Sequence, residues 1–559
     1  MAASPDVLRR SAHLSTFAHQ GAVYLFHDLY GYLLQMSPDL VEFLAEFAAP
    51  RKVADVVAAC ADRFEGQAQQ FVDVFYQQAC LIEPDDDERA GIWPMIAIKG
   101  KWNVWRRQGD RVTIYTAWGE RPIQRLELDP IDTAMWDAMD GEIRLNELRA
   151  KHDPKRLAAL VHRLTHSDVQ ALKLSAFPLS MYAKRPSLTP SYLISTMPYP
   201  AWAPGQPLEA APKDVDTEAY YQQVGDADAQ FEHTETTLSH LFRVPHPALA
   251  GRTYGAALVD GLAATKRLPS RAIRVLEIGG GLGYVARAVC EALAARGLAV
   301  TYTIQEMSPR LAEAQRARTA GLPVTVVVGD VLAAEHPADA YDLILSNEMV
   351  GDLPAVQLSR VDVGLTTDGG GDVDDAMVAA LGRPGELVQT LGIRLEDATE
   401  PFYLLTGAFE LVIRIARWLA PEGTAVVTEF GERAMWPKLS SHLDHPELST
   451  HFGHLQQAAI ASGLEAKIDF VMDLIDLDRS LEGLATTRSH FRALQAVCAD
   501  AGVTLPKLGY TRDLLAATVG DKLDLTTIGE LRWDRIEDRL MGLVPHEFKA
   551  LVCRKPGGN

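Results

Sequence analysis

Arg274-Val275-Leu276-Glu277-Ile278 is a short apolar run that passes without a break into Gly279-Gly280-Gly281-Leu282-Gly283. Tyr284 to Arg296 follows, with Val285, Ala288, Val289, Ala292 and Leu293 at helical spacing. A strand that turns through glycines straight into a helix commits this part of the chain to an α/β fold, the turn lying at the strand's C-terminal end. There, backbone N–H groups come close to a ligand and the helix N-terminus favours a carboxylate. A dinucleotide site is the competing reading. Its strict G-x-G-x-x-G form, counted from Gly279, puts Tyr284 in the last glycine's place, although the relaxed Gly281-x-Gly283-x-x-Ala286 can be written.

Acids at the ends of the next strands separate the two. Val300 to Gln305 reads as a second strand ending in Glu306, where a carboxylate can accept both hydroxyls of a ribose; the same residue can also serve the helix start at Ser308-Pro309. Val324 to Val328 ends in Gly329-Asp330-Val331, and Tyr341 to Ser346 ends in Asn347-Glu348. This series resembles class I methyltransferases. The resemblance implies a Rossmann-like fold and S-adenosyl-L-methionine as cofactor, held by Glu277, Gly279, Gly281, Gly283, Glu306, Asp330 and Asn347, with Asp330 in the family's adenine-binding position.

Later segments resemble the MidA-like branch. Ser346-Asn347-Glu348-Met349-Val350-Gly351-Asp352-Leu353-Pro354 is similar to its N-E-x-x-D-x-L-P motif, with altered spacing around the aspartate. Glu447-Leu448-Ser449-Thr450-His451 is similar to a D-I/L-T-x-H segment, Val427 to Gly431 to a strand ending D-Y-G, and Phe548 to Val552 to a closing strand. The resemblance implies methylation of arginine on a protein. Glu348 and Asp352 are the expected catalytic carboxylates, since a nitrogen acceptor turns cationic as the methyl arrives. Glu429 and His451 are further candidates, His451 as a proton acceptor. The loop Asp368-Gly369-Gly370-Gly371-Asp372-Val373-Asp374-Asp375 lacks the EF-hand ligand order, so no metal is expected; a flexible acidic loop over the acceptor site is the reading adopted.

With 559 residues, the chain has room for two to four domains. A net charge of −20 repels phosphate backbones, so nucleic acid is not an expected partner. No stretch approaches the apolar length of a membrane helix. Five scattered cysteines without a CxxC pair, and no apolar block after Arg9 and Arg10, lead us to expect a cytoplasmic protein.

Ahead of the glycine loop lie two blocks, residues 1–87 and 92–183, then a proline-rich linker at 184–215 and the methyltransferase domain at 216–559. The blocks repeat with an offset of ninety-two. Ser37-Pro38 and Asp129-Pro130 each place a cap and an N1 proline before an apolar helix, and Val53 and Val56 correspond to Leu145 and Leu148. Strand pairs precede both helices, giving two winged-helix α+β domains. They resemble the PqqD-like elements of enzymes that modify ribosomally made peptides. That resemblance implies a leader peptide added as a strand to a sheet edge, here at Leu33, Leu34 and Gln35 beside Phe71 and Phe75. Dimerisation or docking is the alternative use, a homodimer included.

The leading expectation is therefore methylation of a precursor peptide captured by the front domains, the acceptor being a side-chain nitrogen. The alternatives are a MidA-like arginine methyltransferase acting on a folded protein and a binding or assembly factor without catalysis.

Overall fold

The computed structural model describes residues 5–19, 22–27, 30, 32–85, 92–116, 122–166, 169–175, 177–184, 202, 203, 205, 214, 215, 235–269, 272–442 and 445–557. The chain divides into two compact units: Met1–Ala211 with Thr486–Leu505 and Val519–Leu531, and Pro212–Ala485 with Pro506–Thr518 and Arg532–Asn559. Residues 486–505 and 519–531, which the sequence reading placed in the methyltransferase domain, thus group with the front half. Nothing in their composition announces it. Among the described residues no helix is long and apolar enough to cross a membrane.

The first unit contains a duplicated module. In the first copy β1 (Val7–Arg10) pairs with β5 (Arg51–Lys52) and β6 (Leu81–Ile82), while β2 (Leu14–His19), β3 (Ala22–His27) and β4 (Tyr32–Met36) form an antiparallel sheet in that order. Helices α1 (Pro38–Ala45), α2 (Val53–Ala59) and α3 (Ala68–Gln77) complete it. In the second copy β7 (Ile96–Lys99) pairs with β11 (Leu172–Ser175). Between them come the antiparallel β8 (Asn103–Gln108), β9 (Arg111–Thr116) and β10 (Gln124–Leu128), with α4 (Pro130–Ala138), α5 (Leu145–Leu148) and α6 (Pro154–Thr165). Strands β4 and β10, like the starts of α1 and α4, fall at the expected offset. The capping chemistry also repeats: Ser37 Oγ accepts from Leu40 N at 3.3 Å, and Asp129 Oδ1 from Ile131 N and Asp132 N at 2.9 Å each. Val53, Val56, Leu145 and Leu148 are all buried.

Downstream chain completes the second copy. Ile528–Gly529 adds antiparallel to β8, and Asp500, at the end of the helix Arg488–Asp500, accepts from Arg125 Nε (2.9 Å) and Nη2 (3.0 Å) and from the Tyr115 hydroxyl (2.9 Å). Most of the expected linker at 184–215 lies outside the described residues; its Trp202 is buried in the core of the first module.

The second unit is built on a doubly wound sheet. Its strands run Val324–Val328, Val300–Glu306, Ile273–Ile278, Tyr341–Asn347, Leu419–Glu432, Phe548–Arg554, Glu465–Phe470 across the sheet. Numbered along the chain, that order is 3-2-1-4-5-7-6, and only Phe548–Arg554 runs antiparallel to its neighbours. Reversal of order at the first strand opens a crevice beyond the strand C-termini, as expected of a Rossmann-like methyltransferase fold. The segment 361–399 adds the helices Asp375–Ala380 and Arg383–Leu391. Val378, Leu387, Val388 and Leu391 join that unit's main core. The acidic loop before them is held in place: the buried Arg360 donates through Nε to Thr366 O at 2.7 Å and through Nη2 to Gly370 O at 3.3 Å. It takes no part in the cavity described next.

Candidate active site

A cavity of about 400 Å³ opens in the crevice of the second unit. Its floor is the glycine loop. Gly281 adopts φ +50° with nothing within 4 Å of the position a Cβ would take, so bare backbone faces the cavity. Gly280 is constrained differently: a Cβ there would lie 2.8 Å from Ile304 Cγ2 and 3.1 Å from Gln315 Nε2. The helix Tyr284–Ala295 then carries its N-terminus to the cavity edge.

Gln315 holds this end together, a role the sequence reading missed. Its Nε2 donates to Gly281 O at 2.9 Å and to Glu306 Oε2 at 2.6 Å, while Glu306 Oε1 accepts from Ser308 N at 2.9 Å. Glu306 therefore both serves the helix start and presents a carboxyl to the cavity. Burial pushes it up to about 7, against the pull of these hydrogen bonds. Glu277 lies deeper, accepting from the Tyr302 hydroxyl at 3.0 Å, and burial pushes it up to about 8. Asp330 is not brought to the wall. Its Oδ1 accepts from Leu332 N at 2.8 Å, and the neighbours Gly329 and Val331 line the cavity instead.

At the other end Asn347 is fixed by four hydrogen bonds. Its Oδ1 accepts from Tyr254 Oη (2.6 Å) and Thr428 Oγ1 (3.0 Å), so its Nδ2 is turned towards Ser239 Oγ (3.0 Å) and Glu348 Oε1 (3.3 Å). Glu348 sits in left-handed backbone at φ +51°, an unusual conformation for a residue with a side chain. Its carboxyl accepts from Leu238 N (3.2 Å) and Ser239 N (3.3 Å) at the start of the short helix Leu238–Leu241. Burial, then the nearby Glu235, push it up to about 7. Glu429 is fully buried and accepts from Gly351 N (3.1 Å) and Phe430 N (2.9 Å); burial and the adjacent Glu447 hold it well above the usual carboxylate range. Asp352, in the turn Val350–Asp352, also lines the cavity.

His451 is placed elsewhere. Its Nδ1 accepts from His454 N at 3.1 Å, capping the helix Phe452–Ala461, and its ring stacks on His454 with centroids 3.6 Å apart. Neither histidine lines the cavity. Burial lowers both, His454 to about 3, so the expected proton acceptor is a structural cap.

Glu235, Glu447, Glu547, Phe430 and Phe548 complete the wall and were not singled out as site residues. Glu447, Phe430 and Phe548 had a signal, since each lies in a segment that the resemblance picks out. Eight acidic residues (Glu235, Glu277, Glu306, Glu348, Asp352, Glu429, Glu447, Glu547) are among those that line the cavity, and no Lys or Arg is among its described lining residues. The residues present fit S-adenosyl-L-methionine: open glycine backbone, a carboxyl at the second strand end for the ribose, and negative potential for a sulfonium.

In the first unit, β4 is an edge strand of its sheet. Leu33 and Leu34 are half-buried and Gln35 is exposed. Phe71 is half-buried against Phe64, whereas Phe75 is a core residue at 4% exposure and cannot form a groove surface.

No family model matches the chain. Over 123 residues it is 34% identical to a protein-L-isoaspartate O-methyltransferase of Ignicoccus hospitalis, covering 22% of this chain and 57% of that protein. Over 94 residues it is 36% identical to protein-L-isoaspartate O-methyltransferase 1 of Archaeoglobus fulgidus, covering 16% and 42%. The chain spans about half the length of these curated relatives. A Burkholderia thailandensis protein solved with S-adenosylhomocysteine is 15% identical with a TM-score of 0.35, covering 62% of this chain and 89% of that one. Haemonchus contortus phosphoethanolamine N-methyltransferase 2, solved with S-adenosyl-L-methionine, is 14% identical with a TM-score of 0.28, covering 60% and 61%.

Proposed function

We propose that this chain is an S-adenosyl-L-methionine-dependent methyltransferase whose acceptor is a cationic side-chain nitrogen of a peptide. The observation that carries the reading is the cavity wall, eight acidic residues without a Lys or Arg among its described residues. When bound, S-adenosyl-L-methionine supplies a methyl carbon already activated by its sulfonium. The chain's own residues position and discharge. The glycine loop admits the amino-acid end and Glu306 takes the ribose hydroxyls. Glu348 and Asp352 orient the acceptor nitrogen, and a Glu348 oxygen receives the proton that nitrogen sheds. Phe430 and Phe548, their ring centroids 6.4 Å apart, give the cation an apolar flank.

Isoaspartate, the acceptor named for the curated relatives, suits this wall poorly. A carboxylate acceptor would find no Lys or Arg among the described lining residues to pair with.

The peptide we infer is a ribosomally made precursor held by the front modules. Their duplication and the β4 edge support this, since edge strands accept extended peptides. Co-expression with short peptides encoded beside the gene, read by mass spectrometry, tests it: a single peptide gaining a methyl mass on Arg or Lys is the expected result. Substituting Leu33→Asp on β4 should then abolish modification of the full-length peptide while leaving cofactor binding intact. Methylation of intact cellular proteins in place of any peptide would move the substrate to the folded-protein class.

A further inference from the structure

The strand Val300–Glu306 ends in two adjacent polar residues that both line the cavity, and the chain itself satisfies only one of them. Glu306 has its partners in Ser308 N and Gln315 Nε2. Gln305 is 3% exposed, and its Nε2 donates to Gly329 O at 2.7 Å, just past the neighbouring strand Val324–Val328. Its Oε1 has no hydrogen-bond partner among the described residues. A buried acceptor left in that state is unfavourable, and a donor from a bound ligand would relieve it.

Turning the amide over gives no relief. A flipped Gln305 would set Oε1 against Gly329 O, acceptor against acceptor, so the carbonyl fixes which end of the amide is the donor. Gln305 therefore carries a neutral acceptor of defined orientation at the junction of two strand ends. Asp330, the acid expected to bind adenine, is engaged elsewhere: its Oδ1 accepts from Leu332 N at 2.8 Å, while Gly329 and Val331 line the cavity in its place. Met307 and Val331 contribute apolar side chains to the lining, the kind of surface a flat ring packs against.

We propose that Gln305 selects the base of the cofactor, its Oε1 accepting a hydrogen bond from the exocyclic amino group of adenine. The inference rests on the cofactor reading given above and moves base recognition from Asp330 to the preceding strand of the sheet. An amide oxygen accepts from an amino group and repels an oxo group, so hypoxanthine and guanine nucleosides are rejected at the same atom. Being neutral, it does so without adding another negative charge to an acidic wall.

Titration calorimetry on the full chain tests it with S-adenosylhomocysteine and S-inosylhomocysteine, which differ only in the base, an amino group in one being oxo in the other. The wild-type chain should prefer the adenosyl ligand about 100-fold, the cost of facing a buried acceptor with another acceptor. Gln305→Met keeps the length of the side chain and removes the acceptor; it should weaken the adenosyl ligand about 10-fold and cut the preference to about 10-fold or less. Asp330→Asn leaves an oxygen for Leu332 N and should keep the preference within about twofold of wild type. A preference that survives in Q305M, or that collapses in D330N, overturns the proposal, as does a wild-type chain that binds the two ligands equally. If Q305M binds neither ligand, D330N decides alone: a kept preference supports Gln305 and a lost one removes it. A wild-type chain that binds neither ligand overturns the cofactor reading as well, so the two failures are distinguishable.

Discussion

At the glycine-loop end of the cavity each carboxyl has partners that serve it: Tyr302 for Glu277, Ser308 and Gln315 for Glu306. At the Glu348 end repulsion between carboxyls weighs more: after burial it is the next push on Glu348, from Glu235, and on Glu429, from Glu447, whereas at the loop end the push of Glu306 on Glu277 ranks below the Tyr302 hydrogen bond. The first arrangement suits neutral hydroxyls, which need a fixed acceptor and no net charge. The second accumulates repulsion that an arriving cation relieves. On the proposed reading, one end of the cavity receives neutral hydroxyls and the other a cation.

If that contrast holds, damage at the two ends should separate cleanly. Glu348→Gln should lower the methyl-transfer rate about 10²- to 10³-fold, the cost of losing a group aimed at developing charge, with cofactor affinity nearly unchanged. Calorimetry showing an equal loss of cofactor binding would erase the distinction. Glu306→Ala should do the reverse, weakening cofactor binding about 10²-fold through lost charge-assisted hydrogen bonds. Gln315→Met, which leaves the carboxyl and removes its clamp, should cost about 10-fold on the same measurement.

The pH dependence sharpens the comparison. Glu348 is pushed up to about 7, so its proton-accepting form grows as pH rises. The transfer rate should increase about 10-fold from pH 6 to pH 8 in the wild-type chain and stay flat in E348Q. Stability runs the other way. Glu306 and Glu348, raised to about 7, and Glu277, raised to about 8, favour the folded state fully below their unfolded pKa values. That contribution is lost as pH climbs through the folded values. A cationic cofactor opposes the loss, so its thermal shift should be larger at pH 8 than at pH 6; a larger shift at pH 6 would contradict the raised carboxyls.

The smallest effect is expected at His451. Substitution by alanine removes a helix cap worth about 1 kcal/mol, which calorimetric unfolding should register while kcat stays within twofold or so. A kcat reduced much beyond that would return His451 to the chemistry.

These ends were not equally legible in the sequence. The glycine loop, Glu306 and the Asn347-Glu348 pair stand at strand ends, and strand ends can be read from short apolar runs. Gln315 could not be found that way, because its task depends on how the helix after Ser308 leans over the loop. Glu235 and Glu547 lie far from the loop in sequence and meet it only through the 3-2-1-4-5-7-6 strand order. His451 misled for a related reason: a histidine beside a cavity motif looks chemical until its ring nitrogen is seen capping a helix. The duplicated front modules were visible through their caps and N1 prolines. The assignment of residues 486–505 and 519–531 was not, since amphipathic segments carry no mark of which core they will join.

The strand Ile528–Gly529 has a consequence for how the protein is made. Its partner β8 leaves the ribosome 422 residues earlier, counting from Arg106 to Ile528. At translation rates of about 5–20 residues per second, that edge waits roughly 20 to 80 s for its pairing strand. During that interval the nascent second module exposes an open sheet edge beside Trp105, a natural point for a chaperone to hold or a misfolded neighbour to join. Synonymous codon changes that slow or speed the intervening stretch should alter the yield of active protein without changing a single residue.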